Sequence, residues 1–345
     1  MVNADDKAVY PYTGFFAITP PPPSDPSIIE ADGGKWIRLP SDGRLVEYFV
    51  HGSTKNDAAI LVDCPGGGAT GALVGKLPGV AEWCEAHNVK IISPSYPGFG
   101  HSEVRPGWTI GEWPKSDLEP ILEQEGVTDS FMVTGTSFGT PHAQAMAVYF
   151  GERVKVLGLR VPYVGRHVSE DVGLPLGQAN MRYDSKSCNT NLIGHVIGKA
   201  FMSTVSDPAS FFGEPSGASR ALISCLQPKA LEQIKKLNNE HEDAMQCLKY
   251  DVNRGVVVSG QGWLYMCATD TLLDHKFDVR DIKKNKTNLP VIVWYAEDDE
   301  DCPPSHGAWL VEEFGGKSRL FSGLGHVGAA FVDHVKFLDE VRMAA

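Results

Sequence analysis

Apolar residues in this chain gather in short solid runs separated by polar stretches rich in glycine and proline. Ala58–Asp63 reads AAILVD, Val89–Ser93 reads VKIIS, Phe131–Thr136 reads FMVTGT, Val154–Leu159 reads VKVLGL and Leu289–Tyr295 reads LPVIVWY. Runs of this length, rich in β-branched residues, predict strands buried on both faces. Helical patterns lie between them. They cover Pro78–His87, Ile110–Glu125 with a bend expected at Pro120, and a segment that continues past Ser137 through His142, Ala145, Met146 and Tyr149. Over residues 58–160 the order is therefore strand, helix, strand, helix, strand, helix, strand. That alternation predicts an α/β architecture, a mostly parallel central sheet with helices on both faces. Before it, Ile37–Leu39 and Leu45–Val50 flank the turn residues Ser41-Asp42-Gly43 and predict a hairpin. After it, a helix over Ser305–Phe314, a short strand over Ser318–Phe321 and one closing helix over Ala329–Met343 are expected.

The alternation fails between about 163 and 287, where the patterns are mixed and mainly helical. The clearest stretch is Pro228–Tyr250, with Leu231, Ile234, Leu237, Met245 and Leu248 at loosely helical spacing. Ordinary connections are a few residues long, so this segment reads as an insertion. Four parts follow: an extended N-terminal arm over 1–34, a core over 35–162, a mainly helical cap over 163–287 and the rest of the core over 288–345. In the arm, Pro20-Pro21-Pro22-Pro23 favours polyproline II.

Charge and cysteine content narrow the classes. The 345-residue chain carries a net charge of -12, which argues against nucleic acid and anionic membranes as partners. No apolar run reaches the roughly 18 residues of a spanning helix. Met1–Tyr12 lacks the apolar stretch of a secretory signal, so a cytoplasmic location is expected. Seven scattered cysteines without a C-x-x-C pair read as free thiols in a reducing compartment, and no metal site is expected.

The chemistry gathers at strand ends. Gly135-Thr136-Ser137-Phe138-Gly139 follows an apolar strand and opens a helix. Such a G-x-S-x-G turn holds a serine hydroxyl out at the carboxyl end of its strand. Cys64-Pro65-Gly66-Gly67-Gly68-Ala69-Thr70-Gly71 follows another strand. Glycine at that density lets backbone N–H groups point into a cavity, as half of an oxyanion hole. A phosphate loop would need G-K-[ST] or G-x-G-x-x-G, and neither is present. Tyr96-Pro97-Gly98-Phe99-Gly100-His101-Ser102 follows a third strand and shapes a wall beside the serine. A serine hydroxyl needs a neutral imidazole as base and a carboxylate to hold that imidazole. Late in the chain come an acidic loop, Glu297–Asp301, and His326 on a glycine-flanked loop. The order is serine, acid, histidine, the order associated with α/β-hydrolases.

With these motifs in sequence, the chain resembles the α/β-hydrolase superfamily, in its capped lipase-, esterase- and epoxide-hydrolase-like branch. The resemblance covers roughly 35–165 and 288–345 and rests on PGGG, YPGFGHS, GTSFG and the pair AEDDEDCPP with GLGHVG. It implies the α/β-hydrolase fold with an inserted helical cap. It implies a triad of Ser137, Asp299 and His326, with the Gly67 and Phe138 amides as oxyanion hole. Asp298 and Asp301 are rivals for the acid, and Asp171 is a remote one, since some relatives carry the acid after the preceding strand. Two departures stand out: Ala296 replaces a glycine of the acid turn, and Pro65 replaces a frequent histidine. Gly66, Gly68, Tyr96 and Trp263 are expected to line the substrate site, although Trp263, Tyr265 and Met266 fit a cap core equally well. His142 is expected to be packed, His101 to belong to the turn wall and His306 to lie at the surface. Cys64 and Cys302 are expected to be buried inert thiols at the site's edge.

The expected activity is hydrolysis of a small or medium apolar carboxylic ester or lactone through an acyl-enzyme, without cofactor or metal. A nucleophilic aspartate would have suggested epoxide or halide chemistry, and Ser137 argues against both. Carbon–carbon hydrolysis, a lyase or acyltransferase reaction on the same triad, or a ligand receptor with vestigial turnover remain alternatives. A homodimer is possible, with no seam apparent in the sequence.

Overall fold

A computed structural model describes residues 24–105, 108–175, 228–255, 262, 275–286 and 288–345. Its strands are β1 Lys35–Arg38, β2 Leu45–Gly52, β3 Ala59–Cys64, β4 Val89–Pro94, β5 Phe131–Thr136, β6 Val154–Arg160, β7 Val291–Ala296 and β8 Lys317–Phe321. They form one sheet in the order β1-β2-β4-β3-β5-β6-β7-β8. The β1/β2 and β2/β4 pairs are antiparallel, and all later pairs are parallel. The helices are α1 Pro26–Ala31, α2 Leu73–Lys76, α3 Val80–His87, α4 Glu119–Gln124, α5 Gly139–Phe150, α6 Arg166–Val172, α7 Pro228–Glu240, α8 Glu242–Gly255, α9 Ile282–Asn285, α10 Pro304–Phe314, α11 Gly325–Phe331 and α12 His334–Ala344.

The solid apolar runs are explained by two cores. Side chains alternate across a strand, so consecutive residues must satisfy opposite faces. Val62, Ile92, Val133, Leu157 and Val293 enter one core, with residues of α4, α5 and α10. Leu61, Ile91, Met132, Val156 and Ile292 enter the other, with residues of α3, α7, α8 and α12. Burying both faces selects apolar residues at every position.

Several local expectations need correction. The arm is not extended throughout. Asp25 accepts the Ser27 amide and caps α1, with Pro26 at its first position. Residues 1–23, and Pro20–Pro23 with them, lie outside the described residues. The helix expected over Ile110–Glu125 starts at Pro114 as a wide π-type turn, Pro114–Leu118, that runs straight into α4. The single closing helix is two. Val332 turns extended and ends α11, and Asp333, at φ +55°, starts α12. The helical stretch Pro228–Tyr250 is likewise the pair α7 and α8, broken at His241.

Candidate active site

The strand β5 delivers Ser137 onto a tight turn. Its φ is +51°, a left-handed value that a non-glycine residue adopts only under constraint. The constraint is visible on both sides. The Ser137 amide donates to the Arg160 carbonyl at 2.9 Å, and the Thr140 amide closes onto the Ser137 carbonyl at 2.8 Å. A Cβ on Gly139 would stand 2.0 Å from the Cys64 carbonyl oxygen, so α5 passes β3 at a distance that excludes a side chain.

The hydroxyl and the late histidine meet across the fold. Ser137 Oγ lies 2.7 Å from His326 Nε2. His326 Nδ1 lies 2.8 Å from Asp299 Oδ2. Asp299 is buried, and its other oxygen accepts the Asp301 and Cys302 amides at 2.9 and 2.8 Å. With Nδ1–H donated to the carboxylate, Nε2 is left as the acceptor for the serine proton. The network thus assigns the tautomer that a general base requires.

Each aspartate of the loop has its own place. Asp299 reaches His326. Asp298 accepts the Gly325 amide at 3.1 Å, holding the start of α11, and is joined by Gln233 Nε2 at 3.2 Å. Asp301 contributes its amide to Asp299. Asp171 is bonded to Arg280 at 3.0 Å, apart from this relay. Burial opposes charge on His326, but the Asp299 carboxylate, with the neighbouring Cys302, outweighs it and raises the imidazole's pKa above 6.5. Burial pushes the Cys302 thiol up to about 12, so it stays neutral. Its sulfur, a carboxylate oxygen of Asp299 and a ring nitrogen of His326 lie within 4.8 Å of one another. That spacing would suit a metal ion, but an ion there would compete for groups that make up the relay.

The glycine turn lies beside the serine. A Cβ on Gly66 would stand 3.7 Å from the Ser137 Cβ. Gly68 has φ +80°, and the Pro65 carbonyl accepts the Tyr96 hydroxyl at 3.1 Å. Among the described residues, no acceptor takes the Gly67 or Phe138 amide. Tyr96 is fully buried and supports the turn from below. Trp263, Tyr265 and Met266 lie outside the described residues.

Beneath Phe138 the imidazole of His142 is stacked into aromatic rings. Its centroid is 4.1 Å from Tyr96, 4.8 Å from Phe138, 5.2 Å from Trp113 and 5.6 Å from Trp108. Burial lowers its pKa to about 3, and its Nδ1 is bonded to the Phe138 carbonyl at 3.0 Å. It is a packed, neutral group. The unfolded chain takes up this proton near pH 6.5 and the folded chain does not, so stability present above that pH is lost as pH falls towards 3. His142→Gln is expected to remove this slope. Between pH 7 and pH 5 wild type should lose about 2 kcal/mol more than the variant in denaturant titrations. Parallel losses in the two proteins would show that His142 is protonated in the fold.

His306 departs from its expected place. It is fully buried, not at the surface, with Nδ1 accepting the Val164 amide at 2.9 Å and Nε2 on the Pro175 carbonyl at 2.7 Å. His101, in the wall turn, is buried, as are Cys64 and Cys302. One residue without an early signal is Arg160. It lies fully buried at the end of β6, and its guanidinium donates to the Ala329 and Val332 carbonyls at 2.7 and 2.5 Å and to His334 Nδ1 at 2.9 Å. These bonds hold the end of α11, the helix that carries His326. Only its place as the last residue of an apolar strand run could have drawn attention to it.

This sheet, with a serine turn after β5 and a histidine loop after β8, is the α/β-hydrolase fold. Solved structures agree. The esterase RhEst1 from Rhodococcus sp. ECU1013 aligns with a TM-score of 0.60 at 17% identity, over 90% of this chain and 98% of its own. The esterase EaEST from Exiguobacterium antarcticum gives 0.57 at 18%, over 90% and 98%. The enol-lactonase from Burkholderia xenovorans LB400 gives 0.53 at 14%, over 89% and 97%. No family model matches the chain, and no curated protein sequence matches it. Among the described residues no helix is long and apolar enough to cross a membrane.

Proposed function

We propose that the protein is a serine hydrolase that cleaves a small or medium carboxylic ester or lactone through an acyl-enzyme. The observation that carries this reading is the continuous relay from Ser137 Oγ through His326 to Asp299, at 2.7 and 2.8 Å. Ser137 Oγ attacks the carbonyl carbon while His326 Nε2 takes its proton. The carbonyl oxygen becomes an oxyanion facing the Gly67 and Phe138 amides, where each donor is typically worth ~3 kcal/mol. Collapse expels the alkoxide, which takes the proton from His326. Water, deprotonated by the same imidazole, then attacks the acyl carbon, and Ser137 leaves with that proton. Asp299 keeps His326 in the correct tautomer and stabilises its imidazolium form. In the same reading the described residues of the 163–287 insertion belong to a cap over this site, and Gly66, Gly68 and Tyr96 belong to its walls. Esterases and an enol-lactonase among the similar structures favour this substrate class over carbon–carbon cleavage.

The test is hydrolysis of p-nitrophenyl esters from acetate to long chains, with labelling by a fluorophosphonate and peptide mapping. Turnover with a chain-length optimum and a label on Ser137 is expected. A label elsewhere, or none, would sink the assignment. Because the base must be neutral, kcat/KM should rise with pH through the His326 pKa. Its acidic limb should lie above 6.5, since Asp299 raises that pKa. A limb centred below 6.5 would remove Asp299 as the dominant influence on the imidazole.

A further inference from the structure

The glycine turn beside Ser137 does not stand alone. Its far side is gripped by α8, a helix of the segment inserted between β6 and β7. Asp251, fully buried on α8, accepts the Thr70 amide on Oδ2 at 2.6 Å and the Thr70 hydroxyl on Oδ1 at 2.6 Å. One turn later, Arg254 places both terminal nitrogens on the buried Glu47 carboxylate at 2.6 Å each, and its Nε lies 3.1 Å from Asp32. Glu47 also accepts the Ser95 hydroxyl at 2.5 Å, and Ser95 Oγ accepts the Gly71 amide at 3.1 Å. Thr70 and Gly71 are therefore held from two directions. At the end of α8, Gly255 meets the turn backbone to backbone. A Cβ there would stand 2.1 Å from the Gly68 carbonyl oxygen, and the Gly255 carbonyl accepts the Gly100 amide at 3.1 Å.

We infer that Asp251 is a positioning residue for the oxyanion turn: by fixing Thr70 it sets the direction of the glycine amides that face Ser137. The inference rests on the acyl-transfer reading above. The physical reason is the composition of the turn. Three consecutive glycines have little conformational preference of their own, so their amide directions are set by what anchors the ends. One end follows β3 through Pro65. The other is anchored by a carboxylate that takes both donors of a single threonine. A preorganised donor stabilises the developing oxyanion more than the ground-state carbonyl, so loss of alignment should fall on kcat rather than KM. A carboxylate that merely stapled the insertion to the core would affect melting and leave turnover per folded molecule unchanged.

Asp251→Ala, Thr70→Val and the double variant separate these roles. Each single variant is expected to lower kcat about 10- to 100-fold with KM within about twofold, Thr70→Val the less because it keeps the amide bond, and the double variant to lose no more than Asp251→Ala, which already removes both bonds. Asp251→Asn keeps the shape but offers one acceptor oxygen for two donors, and an intermediate loss of about tenfold is expected if Asp251→Ala folds poorly. Cys247→Ala is the control. It removes a different α8 contact, to the Lys76 carbonyl at 3.0 Å, and should leave kcat unchanged. Wild-type kcat in correctly folded Asp251→Ala, or additive losses in the double variant, would overturn the inference. Amide hydrogen exchange across 66–71 reads the anchor without any chemistry. Faster exchange in Asp251→Asn than in wild type supports it, and equal exchange overturns it. A wild-type protein that a fluorophosphonate leaves unlabelled at Ser137 would instead remove the acyl-transfer reading, whatever the exchange rates.

Discussion

Ser137→Ala is expected to lower kcat for an activated ester by about 10⁴-fold or more while leaving the melting temperature within a few degrees of wild type. The size follows from the loss of the covalent route. Without Oγ, the remaining donors can still polarise a carbonyl, but attack must come from water, and such residual catalysis is small beside the intact relay. The stability should hold because the hydroxyl makes one hydrogen bond, to a histidine that is itself partly exposed. The strained backbone at φ +51° is kept by the hydrogen bond its N–H donates to the Arg160 carbonyl, which alanine retains. Burst kinetics and the fluorophosphonate label should vanish together. A variant that retains turnover within about tenfold of wild type would remove Ser137 from the mechanism.

Gly139→Ala is expected to damage folding and chemistry at once. The added Cβ would stand 2.0 Å from the Cys64 oxygen and 2.6 Å from the Pro65 oxygen. Both are backbone atoms at the end of β3, and neither can rotate away as a flexible side chain would. Relief requires α5 to move off β3, which separates Phe138 from the glycine turn and would pull apart the two amides proposed to hold the oxyanion. A cost of about 3 kcal/mol or more is expected, with a fall in melting temperature of roughly 5–10 °C. The folded fraction should also show a reduced kcat. Thermal denaturation and kinetics normalised to folded protein are the checks. Wild-type values in both would mean that helix and strand are not as close as described.

The two predictions share an origin in features legible along the chain. Gly135, Ser137 and Gly139 mark the turn because a strand, a tight bend and a helix must pass at backbone contact there. The strand runs were legible because burial on two faces admits apolar residues at consecutive positions, as Leu61 and Val62 or Ile292 and Val293 show. The closing helices were less legible. Nothing in the apolar spacing of 325–344 marks the break at Asp333, which adopts φ +55°. His306 was misplaced for a similar reason. A polar residue after an acidic loop suggests the surface, and only the fold supplies the Val164 amide and the Pro175 carbonyl that satisfy both ring nitrogens inside.

The site divides in the same way. Serine, acid loop and histidine could be named from residue type and order, because each sits directly after a strand or on a glycine-flanked loop. Resemblance suggested Asp299 over Asp298 and Asp301, and of the three it is Asp299 whose carboxylate reaches His326. Adjacent residues on a turn point apart, so Asp299 meets Nδ1 of His326 while Asp298 turns to the Gly325 amide. Asp251 and Arg160 had no comparable signal. Asp251 meets Thr70 across 181 positions and Arg160 meets Ala329 across 169, and no local pattern encodes such pairs.

By itself, then, the sequence determined the alternating architecture, the serine turn, the glycine turn and the order of the reactive groups, since each is a short-range consequence of burial or backbone geometry. The tertiary structure alone decided which acid holds the histidine, which histidines are buried and what anchors the glycine turn. Those outcomes depend on distances between segments far apart in the chain, and folding brings them within hydrogen-bond range only through the packing of the whole sheet and its helices.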